Sequence, residues 1–513
     1  MHAQARADGN GIQAAGPPGS PKIALGIGAG APRTGPGMPE SPASPDASPA
    51  RALALRRKAD LALSLRYCTS EGIVAIPVVT MALPASMAIS ALVTKAFPLS
   101  PASIGLLGSL PFVGNFLQIF VSPFLMRLRP PKTVTVAAAT LHMLSWVALG
   151  VGLPWIPRGS AGEAAPWILG WFFVSSCFGA VAGVTWSTWI DDWVPERIRG
   201  TFFGRRNQIL QFSTVVFLVG SGWALSQWNY AVPAFQAIIL GSTFLRIFSL
   251  RLQWISPTRP YRAPSPEPDS LRAQAAVVLR ARAFLVFVVF GAVWSFAANC
   301  FGPFYTVFMF ERVGFSAWQV GAVTALSQVG GACSLPAWGL LLDRHGNKPV
   351  MVLSLVLWQL SMFLWCIVTP ENRLLLYALW TWIGATSAGF VLGLFMIGLR
   401  LIPAEAKKLA IGLNLAVSSL VAAVAPVLGG WVITHAPASW GGPLQVYHAC
   451  FLAQPVIALL AIGLLVRVRE PEASPLSTVV GAMRNIRTLG GVLGLSFLVN
   501  YVFTDRGPPR DRR

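Results

Sequence analysis

Long apolar stretches separated by short polar connections dominate the chain from residue 73 onward. A helix of about 20 apolar residues crosses the roughly 30 Å hydrocarbon core of a bilayer. Stretches of this length recur twelve times and predict spans at residues 73–94, 103–126, 134–153, 167–189, 209–228, 233–252, 284–310, 317–342, 350–368, 374–399, 410–433 and 447–468. The pattern predicts an all-α polytopic membrane protein.

Composition narrows the possible partners and cofactors. The chain is 54% hydrophobic and 11% charged, whereas soluble domains carry about a quarter charged residues. Its net charge of +20 lies in short connections between apolar stretches, so we expect a lipid bilayer and no nucleic acid as partner. The six cysteines are scattered without paired spacing, so we expect no disulfide framework, metal site or cofactor.

Basic residues set the expected orientation. Connections on one side carry eighteen of them, at Arg127, Arg129, Lys132, Arg197, Arg199, Arg205, Arg206, Arg251, Arg259, Arg262, Arg272, Arg280, Arg282, Arg344, Lys348, Arg400, Lys407 and Lys408. Connections on the other side carry four, at Lys95, Arg158, Arg312 and Arg373. The positive-inside rule then predicts a multi-pass protein of the cell (inner) membrane with both termini cytoplasmic.

The segments outside the spans divide the chain into five parts. These are a disordered tail rich in Pro, Gly, Ala and Ser (1–60), a first six-helix bundle (61–254), a cytoplasmic linker (255–283), a second six-helix bundle (284–469) and a cytoplasmic tail (470–513). The last tail has one apolar face at helical spacing, at Val479, Val480, Met483, Ile486, Leu489 and Val492. We expect an amphipathic helix on the inner leaflet there, rather than a thirteenth span.

The two halves resemble each other in sequence. With a shift of 216 positions, eight of the thirty-five pairs from Ser100/Ser316 to Val134/Val350 are identical, among them Gly105/Gly321 and Gly114/Gly330. Internal duplication of six-helix units is typical of secondary transporters, which bind solute between the units. We therefore predict two pseudo-symmetric six-helix bundles.

Two connections carry a family resemblance. GLLLDRHGNK, residues 339–348, fits the G-x-x-x-D-R-x-G-x-K/R pattern that the major facilitator superfamily carries between the second and third helices of a half. WIDDWVPERIRGTFFGRRNQ, residues 189–208, is similar to a D-x-V-P-E-x-x-R-G-x-x-F-G-x-R-N segment of bacterial members. The resemblance covers about 70–470 and implies a twelve-helix secondary transporter that moves a small organic solute by alternating access. It does not indicate which solute.

The resemblance also implies a conformational gate. Its residues are Gly339, Asp343, Arg344, Gly346, Lys348, Asp192, Pro195, Glu196, Arg199, Gly200 and Gly204. Gly339 is expected to let two helices approach closely, and Gly346 to permit a tight turn. Asp343 would pair with a neighbouring helix end in the outward-open state and release it during rocking. The first-half copy, PFLMRLRPPK, departs from the pattern, with Pro123 at the glycine position and Arg127 at the acidic one.

Polar residues inside the spans are the candidates for solute binding. Amides that would be costly against lipid are expected to face the bundle, at Asn115, Gln118, Gln211, Asn299 and Gln328. Packing between helices explains each of them equally well.

Ionisable residues inside the spans are fewer still. Glu71, expected at the start of the first span, is the candidate for proton coupling. Arg206 is assigned to a connection, and Arg246 to a helix end from which it reaches the interface. Because no buried counter-charge is recognised, a strongly charged solute is disfavoured.

Three other classes of function are weighed against transport. An ATP-driven pump would need a phosphate-binding GxxxxGK[ST] loop, which the sequence lacks. A membrane-embedded enzyme would need clustered His, Asp or Glu, and Asp191 with Asp192 is the nearest case. A non-transporting receptor on the same fold is the third alternative. We expect a monomeric carrier of a small molecule, and both proton coupling and facilitated diffusion stay open.

Overall fold

A computed structural model describes residues 49–83, 85–257, 270–466 and 475–483. Within these residues, twelve helices are long and apolar enough to cross a membrane. They are α1 Ala59–Met81, α2 Pro101–Leu128, α3 Pro131–Trp155, α4 Gly162–Asp191, α5 Phe202–Gln227, α6 Val232–Ile255, α7 Arg282–Glu311, α8 Ala317–His345, α9 Asn347–Ile367, α10 Leu375–Leu401, α11 Ala404–Thr434 and α12 Pro443–Leu465. No strand occurs in the described ranges. The predicted all-α polytopic class is confirmed.

Several helices differ in length from their apolar spans. Three extend further, as Pro49–Met81, Ala161–Trp193 and Glu196–Gln227. Two spans are interrupted, with α7 formed by Arg282–Cys300 and Gly302–Glu311, and α12 by Pro443–Phe451 and Ala453–Val466. Four shorter helical segments of the described chain lie outside the spans: Met87–Ala91 continued by Leu92–Ala96, Leu271–Arg280 inside the predicted linker, Ala438–Trp440 before α12, and Leu476–Met483 after α12.

The first helix corrects the predicted position of Glu71. The apolar pattern places the start of the span at residue 73, but the helix begins at Pro49 and its spanning part at Ala59. Alanine, leucine and arginine, which are good helix formers, dominate the added turns. Glu71 therefore lies in the interior of α1, not at its start.

Helix contacts confirm the two pseudo-symmetric bundles. In the first half α2 packs on α4 and α3 on α6, and in the second half α8 packs on α10 and α9 on α12. Between the halves α2 packs on α11 and α5 on α8. Each of these helix contacts therefore has an equivalent contact when the first and second halves are exchanged.

The glycines paired by the sequence repeat have equivalent roles. A Cβ added at Gly105 would overlap the backbone of α11, and one added at Gly321 would overlap the backbone of α5. Gly114 and Gly330 lie in the same way against the backbones of α4 and α10. Small residues allow this close approach of membrane helices. The two halves therefore have glycine at equivalent positions of close helix contact.

One end of the molecule, where α2 and α8 begin, is closed by contacts between the halves. Lys95 Nζ donates to the Phe310 carbonyl at 3.2 Å, and the Thr306 hydroxyl donates to the Ala85 carbonyl at 3.1 Å. Backbone amides of α8 donate to hydroxyls of the first half, from Ala317 to Tyr230 and from Trp318 to Ser226. We call this the closed end.

The opposite ends of the helices that join the halves expose large apolar side chains. These are Phe124 and Leu128 in α2, Phe212 in α5, Leu340 in α8, and Ile411 and Leu415 in α11. Among the described glycines, those that meet the backbone of the other half, at Gly105, Gly222, Gly321 and Gly430, all lie in the turns nearest the closed end, and none lies at the end where α2 and α8 finish. We call this the open end.

The segment after α12 packs on protein at the open end. Val479 in Leu476–Met483 is fully buried against side chains of α8 and α9, namely Trp338, Leu341, Leu342 and Val350. The predicted amphipathic helix is thus helical as far as Met483, and Val479 of its apolar face lies against the bundle. Ile486, Leu489 and Val492 lie outside the described residues.

We expect Val479→Asp to destabilise the protein by about 2–4 kcal/mol, because it places a charge in an apolar contact and removes packing. Ser477→Asp, on an exposed position of the same helix, should leave stability unchanged. Thermal unfolding of the purified variants in detergent measures both. Equal melting temperatures for the two variants would contradict the buried position of Val479.

Candidate functional site

A cavity of about 580 Å³ opens among helices of the first half. Its described lining residues come from α1 to α6 and from the turn that follows α1, and the polar ones include Glu71, Asn115, His142, Arg206 and Arg246. A cavity of this size holds a small organic molecule. The proton-coupling candidate Glu71 and the solute candidate Asn115 therefore line the same cavity.

The Glu71 carboxylate receives three hydrogen bonds from neutral groups. Trp186 Nε1 donates to Oε1 at 3.0 Å. The Ser249 hydroxyl and Gln253 Nε2 donate to Oε2 at 3.1 Å and 3.0 Å. Every one of these partners is a donor, which matches the acceptor-only character of an ionised carboxylate.

Two guanidinium groups flank the same carboxylate. Arg206 lies 3.5 Å from Oε1 of Glu71, and Arg246 lies 3.9 Å from Oε2. Arg206 is held further by donating from Nε to the Cys68 carbonyl at 3.1 Å. Its guanidinium also lies over the Trp186 ring, 4.8 Å from the centroid, in cation–π geometry. Four helices, α1, α4, α5 and α6, therefore meet at Glu71.

The cluster is buried and carries an excess positive charge. Glu71, Arg206 and Arg246 are 4%, 9% and 8% exposed. One carboxylate faces two guanidiniums, and a buried charge without a counter-ion is strongly unfavourable. Among the described residues, Arg246 Nε and Gln253 Oε1 also have no hydrogen-bond partner. The wall of the cavity thus holds an unmatched donor, an unmatched acceptor and an unmatched charge.

The cluster corrects two expectations. Arg206 does not lie in a connection, and Arg246 does not reach an interface, because both side chains turn into the bundle towards Glu71. Buried cationic groups are therefore present, contrary to the expectation that disfavoured a charged solute. A sequence signal was available for Arg246, since Ser249 and Gln253 follow it at helical spacing on one face of α6.

His142 lies beside this cluster with a structural bond of its own. Its ring is buried in α3 and lines the cavity. Nε2 accepts a hydrogen bond from Trp146 Nε1 at 3.1 Å, and the ring packs against Gly179 of α4. The acceptor role of Nε2 requires the neutral ring.

The structure separates the five amide candidates for solute binding. Asn115 alone among them lines the cavity that contains Glu71. Gln118 accepts from a serine of its own helix and lines a separate, almost entirely apolar cavity of about 540 Å³. Asn299 donates to a carbonyl of its own helix at 2.8 Å, and Gln211 and Gln328 are partly buried away from the cavity.

The motif between α8 and α9 forms the tight turn. Gly346 joins the two helices with a φ of +91°, a conformation that favours glycine. A Cβ at Gly339 would meet no atom within 4 Å, so no helix lies closely against it in this conformation. Asp343 and Arg344 are exposed, and no described cation lies in ion-pair range of Asp343. Lys348 has an interaction partner.

The motif after α4 includes a helix cap. Arg199 donates to the carbonyls of Asp191 and Val194 at 3.0 Å and 3.2 Å, and lies 3.5 Å from the Asp191 carboxylate. Pro195 precedes the first turn of the next helix, and a Cβ at Gly204 would meet nothing within 4 Å. The side chains of Asp192 and Glu196, and the surroundings of Gly200, lie outside the described residues.

Comparison with known families identifies the chain. The family model described as Major Facilitator Superfamily matches residues 294–504, and the one described as Nucleoside H+ symporter matches residues 190–380. The chain belongs to the major facilitator superfamily. It is a secondary transporter, and the families it matches contain transporters rather than enzymes. No curated protein sequence matches it significantly.

Solved structures of this superfamily share the fold. The nucleoside transporter NupG superposes with a TM-score of 0.62 at 14% identity, covering 80% of this chain and 100% of its own. A D-xylose-proton symporter gives 0.60 at 14% identity, covering 80% and 97%. The inward-open xylose transporter XylE from E. coli gives 0.60 at 13% identity, covering 82% and 99%. At these identities the likeness concerns the fold alone.

Proposed function

We propose that this superfamily member is a monomeric, proton-coupled carrier of a small polar organic solute in the cell membrane, with Glu71 as the proton-binding residue. The observation that carries the proposal is a buried carboxylate on the wall of the cavity. Two of the comparisons agree with proton coupling, because their descriptions name a nucleoside H+ symporter family and a D-xylose-proton symporter.

Protonation of Glu71 would rearrange the whole cluster. A protonated carboxyl carries an O–H donor on one oxygen, and that oxygen then has less acceptor capacity for the groups that donate to it or lie beside it, which are Trp186 and Arg206 at Oε1, and Ser249 and Gln253 at Oε2. Protonation also removes the negative charge that holds Arg206 and Arg246. Because these groups belong to four helices, a proton on Glu71 loosens contacts between α1 and the remainder of the first half. This links proton binding to helix movement.

The distribution of basic residues supports an orientation. The connections rich in Arg and Lys follow α2, α4, α8 and α10, at the open end. Under the positive-inside rule that end faces the cytoplasm, as do both termini. The described conformation is then inward-open.

The test is transport in proteoliposomes with an imposed pH gradient. Uridine, D-xylose and D-xylonate serve as first solutes, and a pH-sensitive dye inside the vesicles reports proton entry. We expect a transported solute to accumulate faster when the interior is alkaline, and its addition to acidify the interior. Solute uptake at a rate independent of the gradient would contradict proton coupling.

The gate gives a second test. We expect Asp343→Asn to leave insertion intact and slow transport several-fold, because the charge would no longer pair at the open end when that end closes. The matched control is Lys407→Gln, which removes an exposed charge near the corresponding end of α11. Initial uptake rates, normalised to membrane-inserted protein, compare the two. A wild-type rate for Asp343→Asn would exclude a gating role.

A further inference from the structure

We propose that the transported solute carries a carboxylate, which Arg206 and Arg246 bind while Glu71 holds the coupled proton. This rests on the proposed function and adds the substrate class. It starts from the buried excess of one positive charge in the cluster of Glu71, Arg206 and Arg246. A monoanionic group can serve as counter-ion to the two arginines, and it takes the place of the Glu71 carboxylate when Glu71 is protonated.

Arg246 is the residue with free capacity for the ligand. Its guanidinium is 8% exposed and lines the cavity. Among described residues it donates to the Ser249 hydroxyl at 2.7 Å, contacts Glu71 only at 3.9 Å, and leaves Nε without an acceptor. A planar guanidinium presents five N–H donors and binds a carboxylate through two parallel hydrogen bonds.

The neighbouring groups complete a site for an organic acid. Gln253 lines the same cavity, and its buried Oε1 has no hydrogen-bond partner among the described residues. Ile76, Val79 and Trp186 line the same cavity and offer apolar surface to the carbon frame. In the second half, charged residues occur only near the ends of the spans. The charged group of the solute is therefore bound by residues of the first half.

The charge balance favours one proton per carboxylate. The empty cluster carries a net charge of +1 with Glu71 ionised. When a monoanion binds and Glu71 takes up one proton, the sum is again +1. The loaded and empty cavities then carry the same charge, so neither has an additional electrostatic barrier to crossing the hydrocarbon. If the loaded and empty cavities differed in charge, the more highly charged one would have the larger desolvation penalty.

The groups that face Glu71 from each helix allow this exchange. They are Cys68 on α1, Trp186 on α4, Arg206 on α5, and Arg246, Ser249 and Gln253 on α6, with His142 on α3 lining the same cavity. Glu71 is the one acidic residue among the described lining residues. It is therefore the group that can exchange a proton as an incoming carboxylate takes over the two arginines.

Paired ligands test the proposal on purified protein in detergent, where no transport is needed. The pairs share a carbon frame and differ in charge: D-xylonate with D-xylose, lactate with propane-1,2-diol, and benzoate with benzyl alcohol. A fourth pair, uridine with uridine 5′-monophosphate, tests whether the site prefers a phosphate group. We expect at least one carboxylate to raise the melting temperature and bind about tenfold or more tightly than its neutral partner. Preference for the neutral members, or for the phosphate, overturns the proposal.

Arginine variants separate binding of the charge from general stability. Arg246→Gln should remove the preference for the carboxylate, and Arg246→Lys should retain part of it, because lysine keeps the charge without the fork. Arg251→Gln on an exposed position of the same helix is the matched control and should bind like wild type. An unchanged preference in Arg246→Gln overturns the proposal, and Arg246→Lys provides the comparison if the glutamine variant does not fold.

The two proposals fail in different experiments. Gradient-driven uptake of uridine or D-xylose, with no carboxylate binding, would retain proton coupling and reject the carboxylate site. Carboxylate binding that depends on Arg246, with uptake independent of the gradient, would retain the site and reject coupling through Glu71.

Discussion

Glu71→Gln is expected to abolish proton-driven accumulation, with uptake under an alkaline-inside gradient falling by more than about tenfold. Glutamine keeps the shape of the side chain but has no exchangeable proton. It also leaves Arg206 and Arg246 without their counter-ion, and breaking a buried ion pair costs about 3–5 kcal/mol. The measurement is initial uptake in proteoliposomes, normalised to inserted protein, together with the melting temperature in detergent.

Two further variants separate these effects. Glu71→Gln combined with Arg246→Gln returns the cluster to its original net charge, so it should recover stability but not coupling. Glu163→Gln removes an exposed carboxylate near the start of α4 and should behave like wild type. If Glu71→Gln alone kept its gradient response, Glu71 would be a structural residue and coupling would require another group.

Gly105→Leu is expected to reduce uptake by a similar factor through a different cause. A side chain at this position would overlap the carbonyl of Pro426 and the backbone at Gly430 in α11. The closed end could not form, and the equilibrium would shift towards a conformation open at that end. Gly220→Leu is the matched control, because a Cβ at Gly220 of α5 would meet nothing within 4 Å.

Spin labels at Leu128 and Ile411, near the open ends of α2 and α11, measure this shift. Their separation should shorten in Gly105→Leu and stay as in wild type in Gly220→Leu. A wild-type distance with full uptake in Gly105→Leu would mean that the α2–α11 contact does not control the closed end.

The fold could be predicted because the bilayer imposes a minimum length on each apolar stretch. The twelve spans and the repeat between halves follow from that constraint, and the glycine pairs Gly105/Gly321 and Gly114/Gly330 lie where the repeat indicates. The start of α1 was misplaced because charged residues interrupt its apolar pattern before Glu71. In a sequence, a charged residue indicates the end of an apolar span. Inside a helix bundle, however, its charge can be neutralised by residues of other helices.

The site was predicted in part, and its missing members share a cause. Glu71 and Asn115 were recognised as polar residues within spans, and both line the cavity. Arg206 and Arg246 were assigned to the membrane surface, because the sequence does not reveal which way a side chain near a helix end turns. Gly339 was assigned a packing role from its motif, but no neighbouring helix lies against it. These features depend on the rotation of each helix about its axis, which only tertiary contacts determine.

The concentration of buried charge in one half has an electrical consequence. One elementary charge moved across the whole membrane changes energy by about 2.3 kcal/mol for each 100 mV of potential. The Glu71 cluster holds a net positive charge, whereas the facing spans of the second half are neutral along their interior. A transmembrane voltage therefore exerts its force on the first bundle, and the resting potential of the cell becomes one of the terms that sets how often each side of the carrier is open.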